Sequence, residues 1–212
     1  MTLISVVVPT IPGREDLFEL VIRAYFDRTG YDLELIPQYG HPTVGCAWQA
    51  GADQASGEYI HLGNDDCEPH PGWAEPAVEA VEAGFIPSPQ VYAPDGTPQG
   101  LPAWGVVDVD WTPVSCAMIP FLSRKQWLAI RPLLTSHYYT DNWITTRARN
   151  AGWRCRLRTG YAFTHHWAQP GRGAGMTEPD RMAYDERLYH AALLMAQNGQ
   201  WTEPWPPGGR LP

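Results

Sequence analysis

Leu3-Ile4-Ser5-Val6-Val7-Val8-Pro9-Thr10, residues 3–10, is an almost unbroken apolar, mostly β-branched run stopped by a proline. Such a run fits a strand covered on both faces, as in the middle of a parallel sheet. Reading outward, Pro12-Gly13 forms a turn, and the stretch from Glu15 to Arg28 puts Leu17, Leu20, Val21, Ala24 and Tyr25 on one helical stripe. Glu15 and Asp16 in its first turn complement the helix dipole, and Gly30 ends it. Asp32 to Gln38 reads as a second strand, Gly45 to Ala55 as a helix of small residues stopped by Gly57, and Glu58 to Leu62 as a third strand. Strand, helix, strand, helix, strand predicts an α/β fold, a mostly parallel sheet flanked by helices.

Beyond Leu62 the pattern continues less regularly. Helices are expected from Gly72 to Ala83, from Ser123 (as cap) through Ile130, from Thr140 to Ala151 with Gly152 as stop, and from Glu178 to Gln197. Strands are expected at Val106 to Trp111, Val114 to Phe121 and Arg154 to Phe163. Residues 87–102 are rich in proline and glycine and read as loop or edge hairpin, and His165 to Met176 reads as a glycine-containing loop. With no repeat or linker, one domain over residues 1–200 and a Pro/Gly-rich tail over 201–212 are expected.

Bulk properties narrow the function. Charged residues make up 18% and hydrophobic residues 44% of 212, which is globular rather than disordered. No apolar stretch is long enough to span a bilayer, and the N-terminus lacks the basic flank of a signal peptide. Cys46, Cys67, Cys116 and Cys155 are dispersed without CxxC spacing, so free thiols and a cytoplasmic setting are expected. The net charge of −8 argues against nucleic acid as the default partner. Yet the segment from Phe121 to Arg172 holds nine basic residues against the single acid Asp141, which suggests that an anion meets the second half. The alternative is that these arginines pair with the acidic first half.

The chemistry concentrates at Asn64-Asp65-Asp66, directly after the third strand. Ligands of open parallel sheets bind beyond the carboxyl ends of strands. Two adjacent carboxylates there, beside Gly63, suit a hard divalent cation that keeps phosphate oxygens in its shell. Asp141 starts a helix, where it can cap the backbone or act as a base. His165-His166 offers an imidazole to a metal, with only one of the pair pointing inward in a strand. Arg172, between Gly171 and Gly173, can clamp phosphate from a loop. Of the ten tryptophans, Trp104, Trp111, Trp143 and Trp167 could stack on a sugar or fill a core.

Taken in order, Val6-Val7-Val8-Pro9-Thr10 with Arg14, Gly45-Cys46-Ala47-Trp48-Gln49-Ala50-Gly51, Ala55-Ser56-Gly57-Glu58-Tyr59-Ile60, and Asn64-Asp65-Asp66 with Pro69, Pro71 and Trp73 resemble family 2 glycosyltransferases, including small phage members. The resemblance covers residues 3–75 well and 105–170 weakly. It implies a GT-A fold, with a smaller antiparallel portion in the second half. It implies a nucleotide-sugar-binding half near residues 1–75 and an acceptor half near 104–176. The donor would be a nucleotide-diphosphate sugar, a uridine diphosphate sugar first among them, and the cation Mn2+ or Mg2+. Pro9, Thr10, Arg14, Gln38 and Gln49 would surround the nucleotide, Asp65 the ribose or sugar, and Arg172 the phosphates. Asp66 and one of His165 or His166 would ligate the metal. Thr140-Asp141 with Arg147 and Gly152 is similar to the segment that carries the general base of an inverting transferase, which assigns that role to Asp141. The sequence departs from the pattern at Gln38, Gln49, Asn64 and Thr140. The acceptor stays open: a glycan, a modified base in DNA, or a protein. A nucleotidyltransferase of related fold, or a degenerate domain that binds without turnover, are the alternatives.

Overall fold

The computed structural model describes residues 2–99, 119–166 and 178–197. Its order is β1 (Leu3–Thr10), α1 (Glu15–Asp27), β2 (Asp32–Tyr39), α2 (Val44–Gln54), β3 (Tyr59–Leu62), β4 (Cys67–Pro69), α3 (Ala74–Glu82), β5 (Phe85–Tyr92), β6 (Pro98–Gln99), β7 (Phe121–Ser123), α4 (Arg124–Ile130), α5 (Thr140–Asn150), β8 (Arg154–His165) and α6 (Glu178–Gln197). The first sheet runs β2-β1-β3-β7, parallel except for β7. The second runs β4-β8-β5-β6, with β5 and β8 parallel and both outer pairs antiparallel. The expected α/β class and its antiparallel second-half portion are therefore present. The strand expected at Val106 to Trp111 lies outside the described residues, and of that expected at Val114 to Phe121 the described part is strand only at Phe121, where β7 begins.

β1 is covered on both faces, as its composition requires. Ile4, Val6 and Val8 face α1 and α3 in one core with Val21, Tyr25, Trp73, Ala77 and Val78. Val7 faces the other way, against Trp48 and Ala52 of α2 and Ile144 and Ala148 of α5. A third cluster docks α6 on α5 through Leu134, Trp143, Leu188 and Ala192. Trp143 is fully buried there and donates its indole N–H to the Pro132 carbonyl at 3.1 Å, so it fills core and does not face an acceptor. Trp104, Trp111 and Trp167 lie outside the described residues.

Of the two expectations for residues 87–102, the edge hairpin is present where β5 pairs with β6, and the loop is corrected, because β5 is a buried strand despite Pro87 and Pro89. Proline is tolerated because Pro89 falls at a bulge in the β5–β8 ladder. β6 pairs only with Val91 and Tyr92, so the rest of that edge asks for no ladder N–H among the described residues.

One core residue has a pH consequence. His61, fully buried on β3, contacts the Tyr25 hydroxyl at 2.8 Å through Nε2 and the Tyr161 hydroxyl at 3.1 Å through Nδ1. Tyr161 donates to the Ile119 carbonyl, so Nδ1–H donates to Tyr161 and Nε2 accepts from Tyr25. Burial drops its pKa from 6.5 to about 3. The folded value lies below the unfolded one, so this contribution to stability is lost as pH falls from about 6.5 towards 3. We expect wild type to lose about 2 kcal/mol from this group between pH 7 and pH 5. Denaturant titrations should show a flatter acid limb in His61→Gln; identical slopes would rule His61 out as the source.

Candidate active site

The site is built where β1 and β3 end side by side. Gly63 continues β3 by donating to the Val7 carbonyl at 2.9 Å, and Trp48 donates its indole N–H to the Gly63 carbonyl at 2.8 Å. A Cβ on Gly63 would sit 2.7 Å from the Tyr25 hydroxyl, so this glycine serves close packing by α1. The chain then turns through Asn64-Asp65-Asp66 into β4, whose Cys67 lies opposite His165 of β8. The His166 N–H donates to the Asp66 carbonyl at 2.8 Å. Residues a hundred positions apart in sequence thus meet at one turn.

Arg14 precedes α1 and donates through Nη1 to Asp65 Oδ1 at 2.8 Å, while Asp66 Oδ2 lies 3.9 Å away. The Thr10 hydroxyl also bonds Asp65. Burial, reinforced by Asp66, raises the Asp65 carboxyl above its ordinary value, against the opposing pull of Arg14 and Thr10. For Asp66 burial pushes upward too, but His165, Arg14 and Cys67 outweigh it and hold the carboxyl below its ordinary value. Asp66 Oδ2 is 3.4 Å from His165 Nε2, and Asp66 Oδ1 accepts from the Cys67 thiol at 3.6 Å.

These residues fit a divalent cation. Among the described residues, Asp65 Oδ2 is buried without a hydrogen-bond partner, and two carboxylates face one guanidinium. Asp66, Cys67 and His165 each bring a ligand atom to within 4.8 Å of the others.

The remaining expected residues are placed differently. His166 points away from Asp66 and bonds Glu68 at 2.8 Å, which also pairs with Arg28 at 2.7 Å. Strand alternation separates the two histidines, so only His165 joins the cluster. Pro9 and Gln38 are paired in register on the α2 side of the sheet. Gln38 is buried there and its Oε1 bonds His41 at 2.9 Å. Gln49 bonds Asp53 at 2.6 Å and accepts the Leu133 N–H at 2.8 Å, so it ties α2 to the segment before α5. Arg172 lies outside the described residues.

Asp141 sits in the first turn of α5, where its Oδ1 accepts the Asn142 N–H at 2.8 Å. The turn into that helix is firmly held. Asp185 of α6 accepts the N–H groups of His137 and Tyr138 at 3.0 and 2.9 Å, and the buried Thr140 hydroxyl contacts the carbonyls of Leu134 and Ser136. Thr140 thus has a packing role, which accounts for its departure from the expected acid. Thr43, which caps α2, also donates to the Thr135 carbonyl, so this turn abuts the start of α2 at the carboxyl edge of β2. A Cβ on Gly45 would lie 2.2 Å from the Leu134 carbonyl oxygen and 2.8 Å from Thr140 Oγ1. Backbone cannot yield as a side-chain tip can, so Gly45→Ala should destabilise the fold by about 1–3 kcal/mol, read as a lowered denaturant midpoint. An unchanged midpoint would mean that the turn moves aside freely.

The basic excess of the second half is dispersed. Arg131 pairs with Asp53 at 3.5 Å, Arg158 with Glu79 at 2.5 Å, and Arg124 donates to the carbonyls of Ala55 and Gly57. Arg154 and Arg156 lie over the Phe85 ring at the start of β8, the opposite end from His165. Several arginines therefore serve the acidic first half or a ring face. Cys46, Cys67 and Cys155 are free thiols, and no helix among the described residues is long and apolar enough to cross a membrane.

The sequence reading missed Cys67 beside the carboxylates, His61 beneath them and Asp185 behind Asp141. Cys67 had a local signal, since it directly follows Asp66. The other two depend on contacts between distant segments.

No family model matches the chain, and no curated protein matches it in sequence. Among solved structures, the crystal structure of S. aureus TarS is similar, with a TM-score of 0.64 at 12% identity over 92% of this chain. TarS is a glycosyltransferase, and the likeness is one of fold. The chain spans 40% of the length of that TarS chain.

Proposed function

We propose that the protein is a glycosyltransferase that moves a sugar from a nucleotide-diphosphate donor, a uridine diphosphate sugar first among them, to an acceptor hydroxyl with inversion. One observation carries this reading. On a fold shared with a glycosyltransferase, Thr10, Arg14, Asp65, Asp66 and His165 converge at the carboxyl ends of β1 and β3.

Pro9 and Gln38 border the base, with the Gln38 amide available to a base edge once His41 releases it. Thr10 and Arg14 fix the Asp65 carboxylate, which meets the ribose or sugar. Gln49 holds the wall next to the nucleotide through its bond to the Leu133 N–H. Asp66 and His165 hold a divalent cation, Mn2+ or Mg2+ in the family's manner, which when bound neutralises charge on the departing diphosphate. Arg172, which lies outside the described residues, adds positive charge at the phosphates. Asp141 takes the acceptor proton as that oxygen bonds to the anomeric carbon and the bond from that carbon to the diphosphate breaks. The acceptor is a glycan, a modified base in DNA, or a protein hydroxyl.

A thermal-shift screen of nucleoside diphosphates and their sugars, with and without Mn2+, tests this reading. A true donor at a hundred times its dissociation constant should add about 2.7 kcal/mol, hence a melting shift of roughly 5–10 °C in a chain of this size. No shift with any nucleotide would favour a domain that binds without turnover.

A further inference from the structure

We propose that Cys67 is a third protein ligand of the cation site, and that the site binds thiophilic divalent cations of the zinc class more tightly than the Mn2+ or Mg2+ of the reading above. This deepens the reading above and rests on its assignment of Asp66 and His165 to the cation.

Three observations carry it. First, Cys67 and His165 are opposite each other in the β4–β8 ladder, so their side chains share one face. Second, the ligand atoms lie close together. The thiol is 3.6 Å from one Asp66 oxygen and His165 Nε2 is 3.4 Å from the other, and all three ligand atoms fall within 4.8 Å of one another. Zinc bond lengths of about 2.0–2.3 Å in a tetrahedron put neighbouring ligand atoms roughly 3.3–3.7 Å apart. Third, one oxygen of the neighbouring carboxylate is already engaged. Asp65 Oδ1 is held by Arg14, and the ligand atoms that lie together among the described residues are one carboxylate, one imidazole and one sulfur.

That donor set discriminates between cations. Magnesium and manganese favour oxygen, whereas sulfur and nitrogen favour zinc and its relatives. Three protein ligands of this kind leave a fourth position for an outside oxygen, the pattern of zinc sites that act on substrates. On coordination the Cys67 sulfur forms its bond to the cation, and the proton it now donates to Asp66 leaves to solvent. Cys67 also lines the core with Val8, Tyr25 and Trp73, which alone would ask only for a small apolar residue. A buried sulfur beside a buried carboxylate and an imidazole asks for more.

The test uses Co2+ as a spectroscopic stand-in for zinc on the full chain. Wild type should develop a near-ultraviolet thiolate-to-cobalt band with the intensity of one thiolate. Zn2+ should displace the cobalt, and a large excess of Mg2+ should not. Cys67→Ala should lose the band and bind Co2+ and Zn2+ on the order of 10–100-fold more weakly, with circular dichroism unchanged. Cys46→Ser should keep the band. If Cys67→Ala does not fold, the wild-type band and the Zn2+ and Mg2+ competition decide alone. Cobalt binding without a thiolate band, or displacement by Mg2+ as readily as by Zn2+, would overturn the proposal and leave the Asp66–His165 site standing. No binding of Co2+ or Zn2+ at all would also overturn it, while the nucleotide screen reports separately on the donor reading.

Discussion

Asp66→Ala is expected to abolish cation-dependent nucleotide binding and to lower transfer by on the order of 10³-fold. Asp66 sits at the centre of the cluster, within 3.4 Å of His165, within 3.6 Å of the Cys67 thiol and 3.9 Å from Arg14. Its removal leaves Arg14 paired with Asp65, so charge in the pocket moves from negative towards neutral and the attraction for a divalent cation falls. The β4–β8 ladder does not depend on this side chain, because the Asp66 contribution there is its backbone carbonyl. Calorimetry of uridine diphosphate with and without Mn2+ separates the two effects. The variant should retain whatever weak binding wild type shows without metal and gain nothing on adding it. Unchanged metal-dependent turnover would remove Asp66 from the site.

The second large effect is expected at Asp141. Asp141→Asn should keep the donor affinity and lower transfer by roughly 10²–10⁴-fold, the range for loss of a general base. The asparagine carbonyl can still accept the Asn142 N–H that Asp141 now accepts, so the first turn of α5 is preserved. Loss of the negative charge near the helix start should cost about 0.3–1 kcal/mol, too little to unfold the chain. Equal donor affinity with lost transfer identifies a base, whereas weakened donor binding would place Asp141 on the nucleotide instead. Transfer at the wild-type rate would leave it with a purely structural role at the helix start.

The first half of the fold is legible because its signals are local. The run from Leu3 to Val8 and the stops at Gly30 and Gly57 bracket strands and helices to within a residue or two. β4 has only three residues and is defined by its pairing with β8, which no local pattern announces. β5 was hidden by Pro87 and Pro89, whose strand character depends on the bulge and on an edge that needs no ladder N–H. The site divides in the same way. Asp65 and Asp66 stand out because they follow a strand at the carboxyl edge, and Thr10 and Arg14 through the resemblance. The choice between His165 and His166 needs the register of β8 against β4. The departures at Gln49 and Thr140 become intelligible only with the segment before α5 in place, since both side chains are bonded to it.

The central claim is that nucleotide and cation meet at the turn after β3. Paramagnetic broadening of backbone amide resonances by Mn2+, with uridine diphosphate present, tests it most directly. The account predicts that Thr10 to Arg14, Gly63 to Glu68 and Thr164 to His166 broaden first, and that Asp66→Ala abolishes the effect. Broadening centred instead on the acidic residues of α3, or no localised broadening at all, would contradict it.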